Sequence, residues 1–193
     1  MGKVLEALDE KLTEVVVRQP VFFVATAPAG DGGHVNVSPK GTSGTFAVLD
    51  PRTVAYLDLT GSGVETIAHL RDNGRITLMF CTFDGPPLIV RLYGRGEPVL
   101  PGNDRFRDLL TAFPDHADAP GIRSVIRVEV DRVSTSCGYS VPLMDHRGDR
   151  PVLRQWAERK GPEGIHAYQR QKNGESIDGL PGLPGLASPV RHR

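Results

Sequence analysis

Residues 124–136, SVIRVEVDRVSTS, alternate apolar and polar side chains with a period of two. Ile126, Val128 and Val130 fall on one face, and Val125, Arg127, Glu129 and Asp131 fall on the other. That period belongs to a β-strand, because successive side chains leave a pleated backbone on opposite sides. One dry face and one wet face point to an antiparallel sheet, since parallel strands are covered on both sides and read as unbroken apolar runs. This stretch commits the chain to a sheet with a single buried face.

Five further segments fit the same sheet. VFFVATA (21–27), VNVSP (35–39), TVAYLDL (53–59), RITLMFCTF (75–83) and PLIVRLYGRGEPV (87–99) are rich in β-branched and aromatic residues, with turn residues such as PAGDGGH, LDPR and DGP between them. The first two predict a hairpin. Leu5, Leu8, Leu12, Val15 and Val16 recur at three- and four-residue steps and predict a helix over 3–17, which Pro20 ends. Further helices are predicted over 63–72, with Val64, Ile67, Ala68 and Leu70 inward, and over 103–113, capped by Asn103. Residues 151–173 read as a helix pair, in which Trp156 is expected to pack onto the strands. The end, DGLPGLPGLASPVRHR, is too rich in Pro and Gly for a helix or central strand. It is expected to drape or stay disordered. The sum is mainly β, six antiparallel strands with peripheral helices, which suits a small barrel.

A chain of 193 residues is long enough for one domain with a full core. Its 23 basic residues match its 23 acidic ones, which argues against a nucleic-acid binder or a membrane-surface binder. No run reaches the roughly 20 apolar residues of a membrane span, and the N-terminus lacks a signal-like apolar core. A soluble, cytoplasmic protein is expected. Cys81 and Cys137 show no metal-ligand spacing, so reduced thiols are expected. None of the six histidines stands at a dependable ligand spacing, so no metal is expected.

The stretch TGSGVET (60–66) admits two readings. With Ser62 as N-cap, Glu65 falls at the third helical position, and the pair forms a capping box. The same turn has unpaired N–H groups, and glycines at 61 and 63 that let a phosphate approach. Glu65 favours the first reading because its charge repels a dianion. Three other residues invite a ligand. Lys40 follows Pro39, which holds Ser38 extended, and precedes Gly41, where the chain can turn beneath a bound group. Arg91 and Arg95 share a strand face with Tyr93 and form either an anion-facing wall or an exposed ion-paired surface.

The phrases FFVATA…GGHVNVSPKG, YLDLTGSGVETIAHLRDNGRITLMF and LIVRLYGRGEPV appear in an order that resembles the pyridoxamine 5'-phosphate oxidase-like flavoproteins, the FMN-binding split barrels. The resemblance covers residues 18–147. It implies a split barrel preceded by an N-terminal helix (1–17) and followed by a helical extension and tail (148–193). It also implies a homodimer with FMN in a groove between protomers. The flavin ring would lie along VNVSPK, facing Val37, Ser38 and Lys40. The phosphate would sit at the turn, near Thr60, Ser62, Gly63 and Thr66. Two basic residues that clasp the phosphate in the family fall on Glu65 and Thr66 here, so Arg91, Arg95 or the partner subunit would have to supply charge. The family's Arg-x-His grip on vitamin phosphate falls on Pro142 and Met144, so vitamin B6 oxidation is not the expected activity. The implied function is a flavin-dependent oxidoreductase working by hydride transfer, with no general base evident and its substrate open. The alternatives are a reductase using the deazaflavin F420, whose anionic tail would want a basic track, and a non-catalytic haem- or flavin-binding module with His69 or His146 as a ligand.

Overall fold

The computed structural model describes residues 2–186. Strand β1 is Val4–Leu5, helix α1 Glu10–Arg18, and strands β2 to β5 are Val21–Thr26, Asn36–Gly41, Phe46–Asp50 and Thr53–Leu59. Helix α2 (Glu65–Asp72), strands β6 (Arg75–Cys81) and β7 (Leu88–Val99), and helix α3 (Asp104–Leu110) follow. Strand β8 runs over Ile122–Cys137, and α4 over Val152–Lys172.

The sheet is antiparallel throughout, in the order β3-β2-β6-β7-β8-β5-β4, with β1 paired to β8. It has eight strands where the sequence predicts six. The added strands are β1 and β4, two and five residues long, too short to show a period by themselves. The N-terminal helix starts at residue 10, not residue 3. Asp9 caps it by accepting the Leu12 amide at 2.8 Å, and this fixes the first turn one step beyond Leu8.

Strands β3 and β4 stand at opposite ends of the sheet, yet only residues 42–45 connect them. Such a link spans at most about 18 Å, so the sheet must curl until its edges approach. The curl brings Phe22 of β2 to 5.3 Å from Phe46 of β4, and both rings pack on Phe80. Val24, Val54, Tyr56, Leu78, Val90, Leu92, Ile126 and Val128 complete a dry interior. Among the described residues β3 has no partner but β2, so the barrel stays split along one seam.

The alternation in β8 carries one defect. Tyr93 pairs with Arg132 and Gly94 with Val130, leaving Asp131 as a bulged residue. Past it the inward position shifts phase, from Val130 to Val133. Gly94 is required here, because a Cβ would collide with the Glu129 carbonyl.

Helix α4 breaks at Gly161, whose φ of 63° leaves the helical region, just before Pro162. Straight, α4 would hold Trp156 and Tyr168 about 18 Å apart, at 1.5 Å per residue. Their rings instead meet edge to face at 4.9 Å, so the two halves fold back as the expected pair. Trp156 serves this hairpin, while Ala157, Ile165 and Gln169 are the buried residues of the helix.

Candidate functional site

Strand β3 is an edge strand with two unequal faces. Its inner face is tied down at each step. Asn36 donates to the hydroxyls of Thr26 (3.3 Å) and Thr66 (3.2 Å), and Ser38 donates to Asn36 at 3.1 Å. Lys40 reaches across the seam to Asp58 of β5 at 3.4 Å. The outer face holds Val37, which is 60% exposed, and Val35 just before the strand is 72% exposed. Two exposed valines on a rigid edge form an apolar ledge rather than a solvated surface.

Across from the ledge lies the 60–65 turn. Together they enclose an open groove of about 490 Å³ lined by Val35, Val37, Ser62, Gly63, Glu65 and Ile177, with His34 at its rim. The turn itself is held from behind. Thr60 donates its hydroxyl to the Gly121 carbonyl at 2.9 Å, and accepts from the Gln169 amide at 2.9 Å. Asn173 donates to the Gly61 carbonyl at 3.0 Å, and Arg123 to the Gly63 carbonyl at 2.8 Å. With the Gly61 and Gly63 carbonyls held by other elements, the turn leaves Ser62 exposed.

These tethers overturn the capping box. The N-cap of α2 is Val64, without a side-chain bond, and the first hydrogen bond runs from the Ala68 amide to the Val64 carbonyl. Ser62 is exposed. The Glu65 carboxylate lies against Gly63 and accepts the Ile177 amide from the C-terminal segment at 3.4 Å.

Beneath the turn sits a buried ion cluster. Asp58 is wholly buried and accepts from Arg123 at 2.7 and 3.1 Å, from Ser124 at 3.2 Å and from Lys40 at 3.4 Å. Burial alone would raise the Asp58 pKa, but the Arg123 and Lys40 charges hold it below the ordinary carboxylate value. Burial likewise works against charge on Arg123, and Asp58 more than offsets it. Tyr56 beneath Lys40 is pushed well up by burial, with the Asp58 charge adding to it.

The expected site residues divide into three groups. Val37, Ser62 and Gly63 line the groove together. Ser38, Lys40, Thr60 and Thr66 stand behind its walls, where they brace β3 and the turn. Arg91 and Arg95 are elsewhere: Arg91 donates to Ser136 at 3.1 Å and Arg95 to the Asn73 carbonyl at 3.0 Å, both on the outer face of β7. Neither lines the groove within one chain. Asp58, Arg123, Gln169 and Asn173 are not foreseen from sequence. Asp58 falls on the same strand face as Val54 and Tyr56, where a carboxylate is not expected, and its partner is 65 residues away. His69 is fully buried and shares a hydrogen bond with Thr26 at 3.0 Å, and burial lowers its pKa. Cys81 and Cys137 are free thiols, and the described residues hold no cluster of metal-ligating side chains. No helix among them is long and apolar enough to cross a membrane.

The profile of the pyridoxamine 5'-phosphate oxidase family matches residues 8–137, which span α1 through β8. A pyridoxamine 5'-phosphate oxidase family protein of Aspergillus flavus, ustO, is 43% identical over 192 residues, covering 92% of this chain and 76% of its own. The chain belongs to the pyridoxamine 5'-phosphate oxidase family. Solved structures similar to this family member include an FAD-binding protein of Mesorhizobium loti, at 20% identity over 70% of this chain and 96% of that one, with a TM-score of 0.47. An FMN-binding protein of Syntrophomonas wolfei is 14% identical over 65% of this chain and 86% of its own, with a TM-score of 0.48. The family's profile stops at β8, so the Gln169, Asn173 and Ile177 side of the groove lies outside it.

Proposed function

We propose that this chain binds FMN in the groove between β3 and the 60–65 turn, at the interface of a cytoplasmic homodimer, and acts as a flavin-dependent oxidoreductase. The observation that carries the reading is the ledge of Val35 and Val37 facing the Ser62–Gly63 turn. A flavin needs a flat apolar surface for its ring and hydrogen-bond donors for its phosphate, on adjoining walls. The exposed valines of an unpaired edge suit the ring. The turn that opens α2 suits an anion, because the start of a helix carries unpaired N–H groups and a partial positive charge.

The phosphate end fits on condition of a partner. No Lys or Arg lines the groove, and Glu65 adds a carboxylate to it. Within the chain, Lys40 and Arg123 are already engaged by Asp58. The neutralising cation therefore comes from the second copy, which is why the proposal requires a homodimer.

When bound, FMN supplies hydride-transfer chemistry, and the protein contributes position and electrostatics. Val35 and Val37 hold the ring on its flat side. The Asn36, Ser38 and Lys40 tethers keep β3 rigid beneath it. Ser62 and the turn amides orient the tail. The alternatives have less support: the longer anionic tail of F420 would bring more negative charge past the same Glu65, and the buried His69 offers no open position to a haem.

The test is titration of the purified protein with FMN, read as loss of flavin fluorescence, alongside light scattering. The reading expects a dimer that binds in the micromolar range or tighter, and a Val37→Asp variant that binds at least tenfold more weakly, about 1.4 kcal/mol. A monomer, or binding that Val37→Asp leaves unchanged, contradicts it.

A further inference from the structure

The break in α4 leaves space behind the 60–65 turn. At the elbow, where Gly161 and Pro162 part the two half-helices, a cavity of about 260 Å³ lies between α4 and the 120–122 loop. Its apolar walls come from Ile122, Ala157, Pro162 and Ile165, of which Ala157 and Ile165 are buried. An apolar cavity of roughly 150 Å³ already takes up benzene, so this one has room for a fused pair of rings.

The walls are held in place. Trp156 and Tyr168 meet across the elbow at 4.9 Å, and the Lys160 ammonium stands 5.4 Å from each ring. Gly121 has a left-handed φ of 80° and lies close against the elbow. A Cβ there would stand 3.4 Å from the Ala157 Cβ and 3.7 Å from the Ile165 Cδ1.

One buried polar side chain lines the cavity, that of Gln169, which is 9% exposed. Its orientation follows from Thr60. The Thr60 hydroxyl gives its proton to the Gly121 carbonyl at 2.9 Å, so toward Gln169 it can only accept, and the amide nitrogen faces it at 2.9 Å. The Gln169 carbonyl oxygen is then the atom left for the cavity, and it has no hydrogen-bond partner among the described residues. Glu158 and His166 stand exposed at the mouth, and Glu158 is engaged by Arg154 at 3.0 Å. An apolar slot with one buried acceptor favours a neutral ring with a single donor. A charge would lose its hydration there, and a ring without a donor would leave the acceptor unmatched.

Both supports of Thr60 are walls of this cavity. The Gly121 carbonyl also accepts the Thr60 amide at 2.8 Å. A molecule lodged against Gly121 and Gln169 favours the arrangement in which Thr60 is held, and so steadies the turn from behind.

We infer that this cavity binds a small, neutral fused aromatic ring with one hydrogen-bond donor, and that its occupancy regulates the flavin groove. Binding of the ring needs only the cavity, whereas its effect on the groove rests on the flavin reading.

The experiment titrates isotope-labelled protein with indole and with benzofuran, its counterpart without the N–H. Indole should bind about threefold or more tightly than benzofuran, the range of one neutral hydrogen bond. Amide shifts should cluster at residues 120–122 and 157–169. Gln169→Met should remove the preference. His166→Trp, which fills the mouth from an exposed position on α4, should abolish binding of both rings and leave FMN binding without indole unchanged. Saturating indole should tighten FMN binding about fivefold or more in the wild type, and not in His166→Trp. Failure to bind indole, equal binding of the two rings, shifts outside the cavity, or indole binding that survives His166→Trp would overturn the inference. Indole binding that leaves FMN affinity unchanged overturns the regulation alone, and indole binding without any FMN binding overturns the flavin reading alone.

Discussion

The barrel and the C-terminal segment both hold the 60–65 turn, but with different chemistry. From the barrel side, the buried Asp58–Arg123 pair supports the Gly63 carbonyl. From the C-terminal side, two neutral amides do the equivalent work, Gln169 on Thr60 and Asn173 on Gly61. The first is an all-or-none support, because removing one partner leaves a charge stranded in a dry interior. The second is graded, because each amide contributes one hydrogen bond. The family's profile covers Asp58 and Arg123 and ends before Gln169.

Breaking the barrel support should have the largest effect. Asp58→Ala strands Arg123, which is 5% exposed, and should cost about 3–5 kcal/mol in denaturant unfolding. A cost under about 1 kcal/mol would mean that water reaches the pair. Removing the C-terminal support should cost less. Asn173→Ala and Gln169→Ala should each cost about 1–2 kcal/mol. Both should also weaken FMN binding and speed hydrogen exchange at residues 61–66, with the Asp58–Arg123 pair intact. Exchange that stays unchanged would confine the two amides to anchoring α4.

Acid separates the supports further. The Asp58 pKa is depressed in the folded state, so its contribution is present above the unfolded value. It is lost as pH falls through the folded value. Stability should therefore decline below about pH 4, and Asp58→Asn should flatten that limb. The neutral amides do not titrate, so Asn173→Ala should lower the whole curve without changing its slope. A parallel acid limb in Asp58→Asn would assign the decline to other carboxylates.

The same division governs what the sequence reveals. The alternation over 124–136, the apolar runs and the Gly161–Pro162 break place the strands and helices, because each rests on local periodicity or backbone restriction. The closure of the barrel is legible only in part: the split edge follows from topology, and the two short strands have no period to read. The groove's Val37, Ser62 and Gly63 come through the family resemblance. Its supports do not, because Asp58–Arg123 and Thr60–Gln169 are pairs 65 and 109 residues apart, and no spacing rule marks them. Glu65 shows the limit most clearly. A serine and a glutamate at the right spacing predict a capping box, yet the C-terminal segment offers the Ile177 amide and draws the glutamate away.

Glu65 is also where the account is most exposed, since the groove is proposed to hold a phosphate beside it. The deciding measurement is FMN titration, by fluorescence quenching, of the wild-type protein against Glu65→Lys. Micromolar or tighter binding by the wild type, made at least tenfold tighter by the lysine, is the predicted result, with tenfold equal to about 1.4 kcal/mol. Failure of both proteins to bind FMN, or an affinity the substitution does not change, would contradict a phosphate at this turn.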